Sequence, residues 1–277
     1  MQQYFFVSDL HGSAERYHKL WLAVEKERPR AVFFGGDLFG LNDPAGGPDL
    51  IDAGLTGLRE RLGSDYPHIF LILGNDDPRS EEHRVLDLEA QGLLTSASQR
   101  RIQLDQYVVY GYPFVPPTPF RLKDWERYDV SRFVDPGCVS PEEGQRTVAV
   151  DPREARNRTI QEDLEELAGE EDMEDAIFLF HTPPYRSKLD RAALDGRMVD
   201  HAPVDVHVGS IAVDRFIRSR RPWITLHGHV HESARLTGSW KDRIERTRLF
   251  SAAHDGPELS LVRFDPGNPD SATREIL

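Results

Sequence analysis

The sequence predicts an α/β protein, on two observations. Short runs rich in Val, Ile and Phe recur along the chain, and between the early runs lie stretches whose apolar residues keep helical spacing. With 39% hydrophobic and 29% charged residues among 277, the chain can bury a substantial core and has the composition of a soluble globular protein.

The elements follow in order. Tyr4 to Ser8 reads as a buried strand, and Ala14 to Glu27 as a helix with Tyr17, Leu20, Trp21 and Val24 on one face. Strands are predicted at Ala31 to Gly35, His68 to Leu73 and Tyr107 to Tyr110, with helices at Asp49 to Leu62 and Arg79 to Ala90 between them. Residues 111–152 break the pattern: prolines 113, 116, 117 and 119 forbid a through-going helix, while Phe114, Trp125, Tyr128 and Phe133 argue against disorder. A compact insertion packed by its own side chains, lying over the site, is expected there. The acidic stretch Glu162 to Asp175 reads as an exposed helix leading into a strand at Ala176 to Phe180. A helix at Ile211 to Arg218 then precedes a strand at Trp223 to Leu226. In the tail, Ala234 to Thr237, Arg246 to Ser251 and Glu258 to Phe264 read as antiparallel strands, with Gly238 and Asp255-Gly256 at turns and a loop from Asp265. No repeat or linker divides the chain, so one domain is expected over 1–277.

Several function classes are disfavoured. A net charge of −13 argues against an extended nucleic-acid surface, which relies on many Lys and Arg contacts to phosphate. No run approaches the ~18 apolar residues of a membrane span. The chain starts Met-Gln-Gln and enters Tyr4-Phe5-Phe6-Val7 without a basic leader, and its one cysteine, Cys138, has no internal partner. A cytoplasmic protein is expected. The oligomeric state is not legible.

The residues that carry chemistry stand near the ends of apolar runs. Asp9 and His11, one residue apart, should point to the same side of a strand end. Asp37 follows two glycines and offers a carboxylate able to bridge two cations, and Asn75 in Gly74-Asn75-Asp76 offers an amide oxygen. His181 follows a later strand, and Gly228-His229-Val230-His231 repeats the one-residue spacing. This nitrogen and oxygen set without thiolate suits Mn²⁺, Fe or Zn²⁺.

Taken in order, these blocks resemble the calcineurin-like metallophosphoesterase family, whose pattern is D-x-H, G-D, G-N-[HCDR], H and G-H-x-H. The resemblance spans residues 9 to 231. It implies a four-layer αββα sandwich, two mixed sheets flanked by helices. It implies two divalent ions per chain, Mn expected, with Asp9, His11, Asp37 and His231 on one and Asp37, Asn75, His181 and His229 on the other. Such a pair activates a water for attack on a phosphate ester.

The chain also departs from that pattern. Many members carry His after the asparagine and a carboxylate three residues after the bridging aspartate, a dyad that helps the leaving group depart. Here Asp76 and Gly40 stand there. A phosphodiester of a small or nucleotide-like alcohol is therefore the expected substrate, ahead of phosphomonoester or nucleotide pyrophosphate hydrolysis; a non-catalytic scaffold on the same fold is the alternative of another class. Asp76 and His207 are the catalytic candidates. Asp76 is a poor acid beside two cations, which favour its ionised form. His207 precedes a helix whose N-terminus has the right character to face phosphate, or is a surface histidine beside the N-cap Ser210. His227 reads as a packed histidine or as a substrate contact, with His201 and His254 weaker candidates. Arg121, Lys123, Arg127 and Arg132, interleaved with Phe120, Trp125 and Tyr128, either cap the site, holding phosphate and stacking a base, or solvate a loop with a small private core. Arg186, Lys188 and Asp190, after His181, admit the same two readings.

Overall fold

The computed structural model describes residues 2–40 and 46–277. Along the chain run β1 (Tyr4–Val7), α1 (Ala14–Glu27), β2 (Ala31–Gly35), α2 (Gly46–Leu62), β3 (His68–Ile72), α3 (Glu82–Ala90), β4 (Thr95–Ser96), β5 (Arg101–Leu104) and β6 (Tyr107–Tyr112). After an irregular stretch come α4 (Pro152–Asn157), α5 (Ile160–Ala168), β7 (Ala176–Phe180), β8 (Met198–Val199), β9 (Ala202–Pro203), α6 (Ile211–Arg220) and β10 (Ile224–His227). The tail holds α7 (Ser233–Thr237), β11 (Lys241–Ile244), β12 (Thr247–Ser251), β13 (Ser260–Phe264) and β14 (Thr273–Ile276).

These strands form two six-stranded mixed sheets, ordered β14-β13-β1-β2-β3-β4 and β11-β12-β10-β7-β6-β5. In the first, β1 to β4 run parallel and β13 joins β1 and β14 antiparallel. In the second, β6, β7, β10 and β12 run parallel, and β5 and β11 close the edges antiparallel. Strand alternation sorts the side chains into layers. Tyr4, Phe6, Phe33 and Phe70 meet Val109, Ile177, Leu179, Leu226 and Phe250 between the sheets. Phe5, Val7, Val32, Phe34 and Leu71 turn outward to Leu20, Val24, Leu55 and Leu58 of α1 and α2. Beyond the second sheet, Phe178 packs on Phe216 of α6 with ring centroids 4.9 Å apart. The expected helix-sheet-sheet-helix order is thus present. Burial on both faces explains why the strands read as continuous apolar runs.

Ala234 to Thr237 forms part of α7 rather than a strand. Four residues are too few for period to separate strand from helix, and Gly238, at φ +73°, ends α7 with a left-handed cap. The acidic helix runs over Ile160–Ala168 and stops at Gly169, short of Asp175. The antiparallel reading of the tail also needs correction at β12, which pairs antiparallel with β11 but parallel with β10.

The stretch after β6 packs on its own core. Phe114 meets Trp125 at 5.4 Å, and Val115 pairs with Glu126. Lys123 and Glu126 form an ion pair with both side chains at 0% exposure, and Glu126 also accepts from the Thr118 N–H and hydroxyl at 2.8 and 2.6 Å. Arg127 donates to Asp163 at 2.8 Å and lies 4.1 Å over the Phe114 ring, while Arg132 donates to Glu142 at 2.6 Å. Lys123, Arg127 and Arg132 are thus engaged internally, and Trp125 and Tyr128 are buried. Phe120, at 58% exposure, and Arg121 stay at the surface.

Asp129 is among the residues that tie the stretch to the rest of the fold. The Asp129 carboxylate accepts from the Ser210 hydroxyl at 2.5 Å and from the N–H groups of Ile211 and Ala212 at 2.7 and 3.1 Å, closing the α6 N-terminus. Asp129→Ala should leave these donors without an acceptor and lower the unfolding free energy by about 1–3 kcal/mol. Urea unfolding followed by circular dichroism measures this, and a change under ~0.5 kcal/mol would contradict the assigned role.

Candidate metal centre

All seven predicted ligands lie just past the C-terminal ends of parallel strands: Asp9 and His11 after β1, Asp37 after β2, Asn75 after β3, His181 after β7, and His229 and His231 after β10. This is the edge at which open parallel sheets gather ligands, and here two sheets contribute. The side chains converge by turns rather than by strand alternation. Asp9, His11, Asp37 and His229 are non-glycine residues at φ +58°, +47°, +52° and +72°. Each such left-handed residue costs about 1–2 kcal/mol, so the surroundings must hold it. The N–H groups of Asp9 and His11 donate to the carbonyls of Gly36 and Asp37, both at 2.9 Å, and Arg16 donates to the Asp9 carbonyl at 2.6 Å.

Glycines in the motifs permit the close approach. A side chain at Gly74 would run into the Asp37 carboxylate and backbone N, and at Gly228 into the Ser8 hydroxyl and Asp9 carboxylate.

The polar atoms form two groups that share Asp37. Asp9, His11, Asp37 and His231 offer ligand atoms within 4.8 Å of one another, as do Asp37, His181 and His229. His181 Nε2 lies 3.1 Å from Asp37 and 3.1 Å from Asn75 Oδ1, which brings the asparagine to the second group. His231 Nε2 lies 3.2 Å from Asp9 and 3.2 Å from His11 Nε2. His181 Nδ1 donates to the Gly35 carbonyl at 2.7 Å, fixing the tautomer that turns Nε2 inward. The donor set fits a pair of divalent cations. Asp9 and Asp37 are each 2% exposed, and among the described residues neither has a Lys or Arg ion partner.

The electrostatics describe what such cations would replace. Burial works to raise the Asp9 and Asp37 carboxyls, but the histidines beside them outweigh it and hold both below the usual carboxylate range. Burial works to lower His181 and His231, and the same carboxylates outweigh it, raising them to about 10 and about 9. Burial and the charge of His181 push His229 down to about 3. The buried negative charge is thus balanced by protons on two imidazoles.

Asp76 stands at the edge of the cluster. It accepts from the Asn75 amide at 2.9 Å, its N–H donates to Asp37 at 2.8 Å, and its carboxylate is 3.8 Å from His11 Nδ1. Burial first, and the charge of Asp37 second, raise its carboxyl to about 7. His227 is not part of the cluster. β10 ends with it, and its ring turns into the interior, stacking on Phe180 and bonding to the Thr182 carbonyl and the Thr225 hydroxyl at 2.9 and 2.8 Å. Burial pushes it down to about 4. His207 lies on the loop ahead of α6, bonded to Asp190 at 2.9 Å. The helix N-terminus beside it is closed by Asp129 and Ser210, which corrects the expectation that it faces phosphate.

Asp77 is a residue that sequence reasoning missed. Fully buried, it accepts from the N–H groups of Leu38, Phe39 and Gly74 at 2.9, 2.8 and 2.8 Å, tying the Asp37 turn to the Asn75 turn. Nothing in Asn75-Asp76-Asp77 distinguishes the second carboxylate from the first. Their separation depends on which one the turn directs inward.

A family profile described as calcineurin-like phosphoesterase matches residues 3–233. No curated protein sequence matches the chain. Among solved structures, a protein of Thermus thermophilus is similar at 15% identity and TM-score 0.60, covering 99% of this chain and 98% of its own. A dimetal phosphatase from Danio rerio is similar at 13% identity and TM-score 0.53, covering 94% and 91%. At these identities the likeness is one of fold.

Two outcomes test the centre. Since His181 and His231 hold protons at neutral pH and must release them to become ligands, Mn²⁺ binding at pH 7 should release about one to two protons, and affinity should rise with pH up to about 9–10. Calorimetry in buffers of differing ionisation enthalpy measures this, and binding without proton release would contradict it. Gly74→Ala should retain the fold by circular dichroism yet lose bound metal by elemental analysis.

Proposed function

The chain belongs to the calcineurin-like phosphoesterases, a family of dinuclear metal-dependent enzymes; from this premise we propose that it hydrolyses a phosphodiester of a small or nucleotide-like alcohol. The observation that carries the hydrolase reading is the pair of ligand groups sharing the buried Asp37. We assign Asp9, His11, Asp37 and His231 to one ion, and Asp37, Asn75, His181 and His229 to the other. When bound, two divalent ions supply a water of lowered pKa and neutralise phosphate oxygens. Mn²⁺ is the ion we expect, and Fe or Zn²⁺ also suits these donors.

The chain's own residues set the rest. Asp37 ties both groups together. Asp76 holds the Asn75 amide nitrogen, which leaves the amide oxygen to face His181. We place Asp76 and His207 in catalytic roles, Asp76 at the edge of the centre and His207 on the neighbouring loop. The diester preference follows from Gly40 and Asp76, which stand where many relatives carry the carboxylate and histidine that assist a monoester's leaving group. Among the described residues no helix is long and apolar enough to cross a membrane, and we place the protein in the cytoplasm.

The test is hydrolysis of bis(p-nitrophenyl) phosphate against p-nitrophenyl phosphate after Mn²⁺ reconstitution. The diester should be turned over faster, and Asp37→Asn and Asn75→Ala should each lose at least about 10-fold to 100-fold in activity, with lower metal content. Faster monoester turnover would overturn the diester preference. A wild-type protein that binds no metal and cleaves neither ester would overturn the enzyme reading and favour a non-catalytic scaffold.

A further inference from the structure

The loop that leaves His181 carries a fully buried carboxylate, Asp190, with an unusual set of partners. Its Oδ2 accepts from the N–H groups of Arg186 and Gly209 at 2.7 and 3.3 Å, and its Oδ1 faces His207 Nδ1 at 2.9 Å. A carboxylate opposite Nδ1 fixes the proton there, so Nε2 becomes the exchangeable position. The His207 side chain is 28% exposed, and among the described residues no hydrogen bond engages Nε2. Tyr185 stands edge-on to the ring at 6.2 Å, and Asp205 accepts from the His207 backbone N–H at 2.9 Å. Arg191, bridged to His207 through the backbone, directs its own guanidinium to Asp195.

The position of this pair is as informative as its geometry. The Ser210 N–H donates to the Pro183 carbonyl at 2.9 Å, two residues past His181. On the other side, the Ala192 N–H donates to Val206 at 2.8 Å, and the Ala193 N–H to the Glu232 carboxylate at 2.9 Å, one residue past His231. The loop that carries His207 is therefore joined by backbone bonds to the segment leaving His181 and, through Ala192 and Ala193, to the segment leaving His231. It is not needed to cap α6, since Ser210 and Asp129 already do so.

We propose that Asp190 and His207 form the proton-donating pair for the leaving group, with His207 the catalytic residue and Asp190 its positioning partner. This rests on the hydrolase reading above and fills the role left open by Gly40 and Asp76. As the water oxygen bonds to phosphorus, the bond from phosphorus to the ester oxygen breaks. Its electron pair stays on the departing oxygen, which takes the proton from His207 Nε2. The proton lost by water passes to solvent, from which His207 is recharged. Asp190 and Asp205 place negative charge beside the imidazolium that must form.

Two diesters that differ in leaving group separate this role from a structural one. Methyl p-nitrophenyl phosphate expels an acidic phenol that needs no proton, whereas methyl phenyl phosphate expels a more basic one. In the Mn²⁺-loaded full chain, His207→Gln and the isosteric Asp190→Asn should lose turnover on the phenyl ester about 10²-fold more than on the nitrophenyl ester. Added imidazole should restore phenyl ester turnover to His207→Ala. Equal losses on both esters, or no loss on either, would overturn the pair while leaving the hydrolase reading intact. A wild type inactive on both esters would overturn that reading and the pair with it.

Discussion

Buried negative charge at Asp37 is the constraint on which the rest of the site depends. Asp37 and Asp9 are each 2% exposed. Removing such charges from water costs several kcal/mol per ion unless something of opposite sign accompanies them. Without metal, the compensation comes from protons on His181 and His231, and with metal it would come from the ions themselves. The His181 imidazole is oriented inward by the bond of its outer nitrogen to the Gly35 carbonyl. The balance also explains why Asp37 belongs to both groups: a neutral ligand in its place would leave two cations facing each other with less negative charge between them.

The centre spans the seam between the sheets. Asp9, His11, Asp37 and Asn75 come from the first sheet and His181, His229 and His231 from the second, and the contacts that join them cross at the strand ends. The His229 N–H donates to Asp9 at 3.0 Å, and Gly228 lets the second sheet approach Ser8 and Asp9. The aromatic layer of Phe6, Phe33, Phe70 and Phe250 behind these ends sets the distance between the two halves. Because close-packed interiors transmit small changes in volume, ligand spacing and inter-sheet packing are coupled. Asp77 adds a lateral brace, holding the turns after β2 and β3 in one relation.

Much of this was legible in the sequence, and the exceptions have identifiable causes. Buried parallel strands such as Ala31–Gly35 and Ala176–Phe180 announce themselves because both faces demand apolar residues. The α1 bounds follow from a clean periodic face, and in the structure Ser13 caps its start. β14 carries no such pattern: Thr273, Glu275 and Ile276 are exposed, and backbone pairing with β13 makes it a strand. The candidate ligands were legible as a set because metal chemistry restricts residue types at fixed order, and the fold brings these side chains together. Their backbone was not, since strand alternation predicts convergence that the structure achieves through left-handed turns at Asp9, His11 and Asp37. Pairings between distant loops, such as Asp190 with His207 and Asp129 with Ser210, leave no local signature. Asp190 was visible as a charged residue after His181, without its partner.

The same loops bear on selectivity. Asp129 occupies the α6 N-terminus, Lys123 and Arg127 are turned to the buried carboxylates Glu126 and Asp163, and Arg132 pairs with Glu142 at the surface, so these places offer little to a phosphate chain. In the proposed reading, recognition falls to the centre itself and to the loop of His207. The protein around them carries a net charge of −13, against which a duplex would bring one phosphate charge per ~1.7 Å. With a screening length of about 8 Å at physiological salt, only charges close to the entrance act on an approaching ligand. The small diester proposed above would place its single charge at bound cations and keep the remainder of its body outside the acidic surface. A long polyanion would have to lie along that acidic surface, which supports the proposed small substrate on electrostatic grounds independent of the missing dyad.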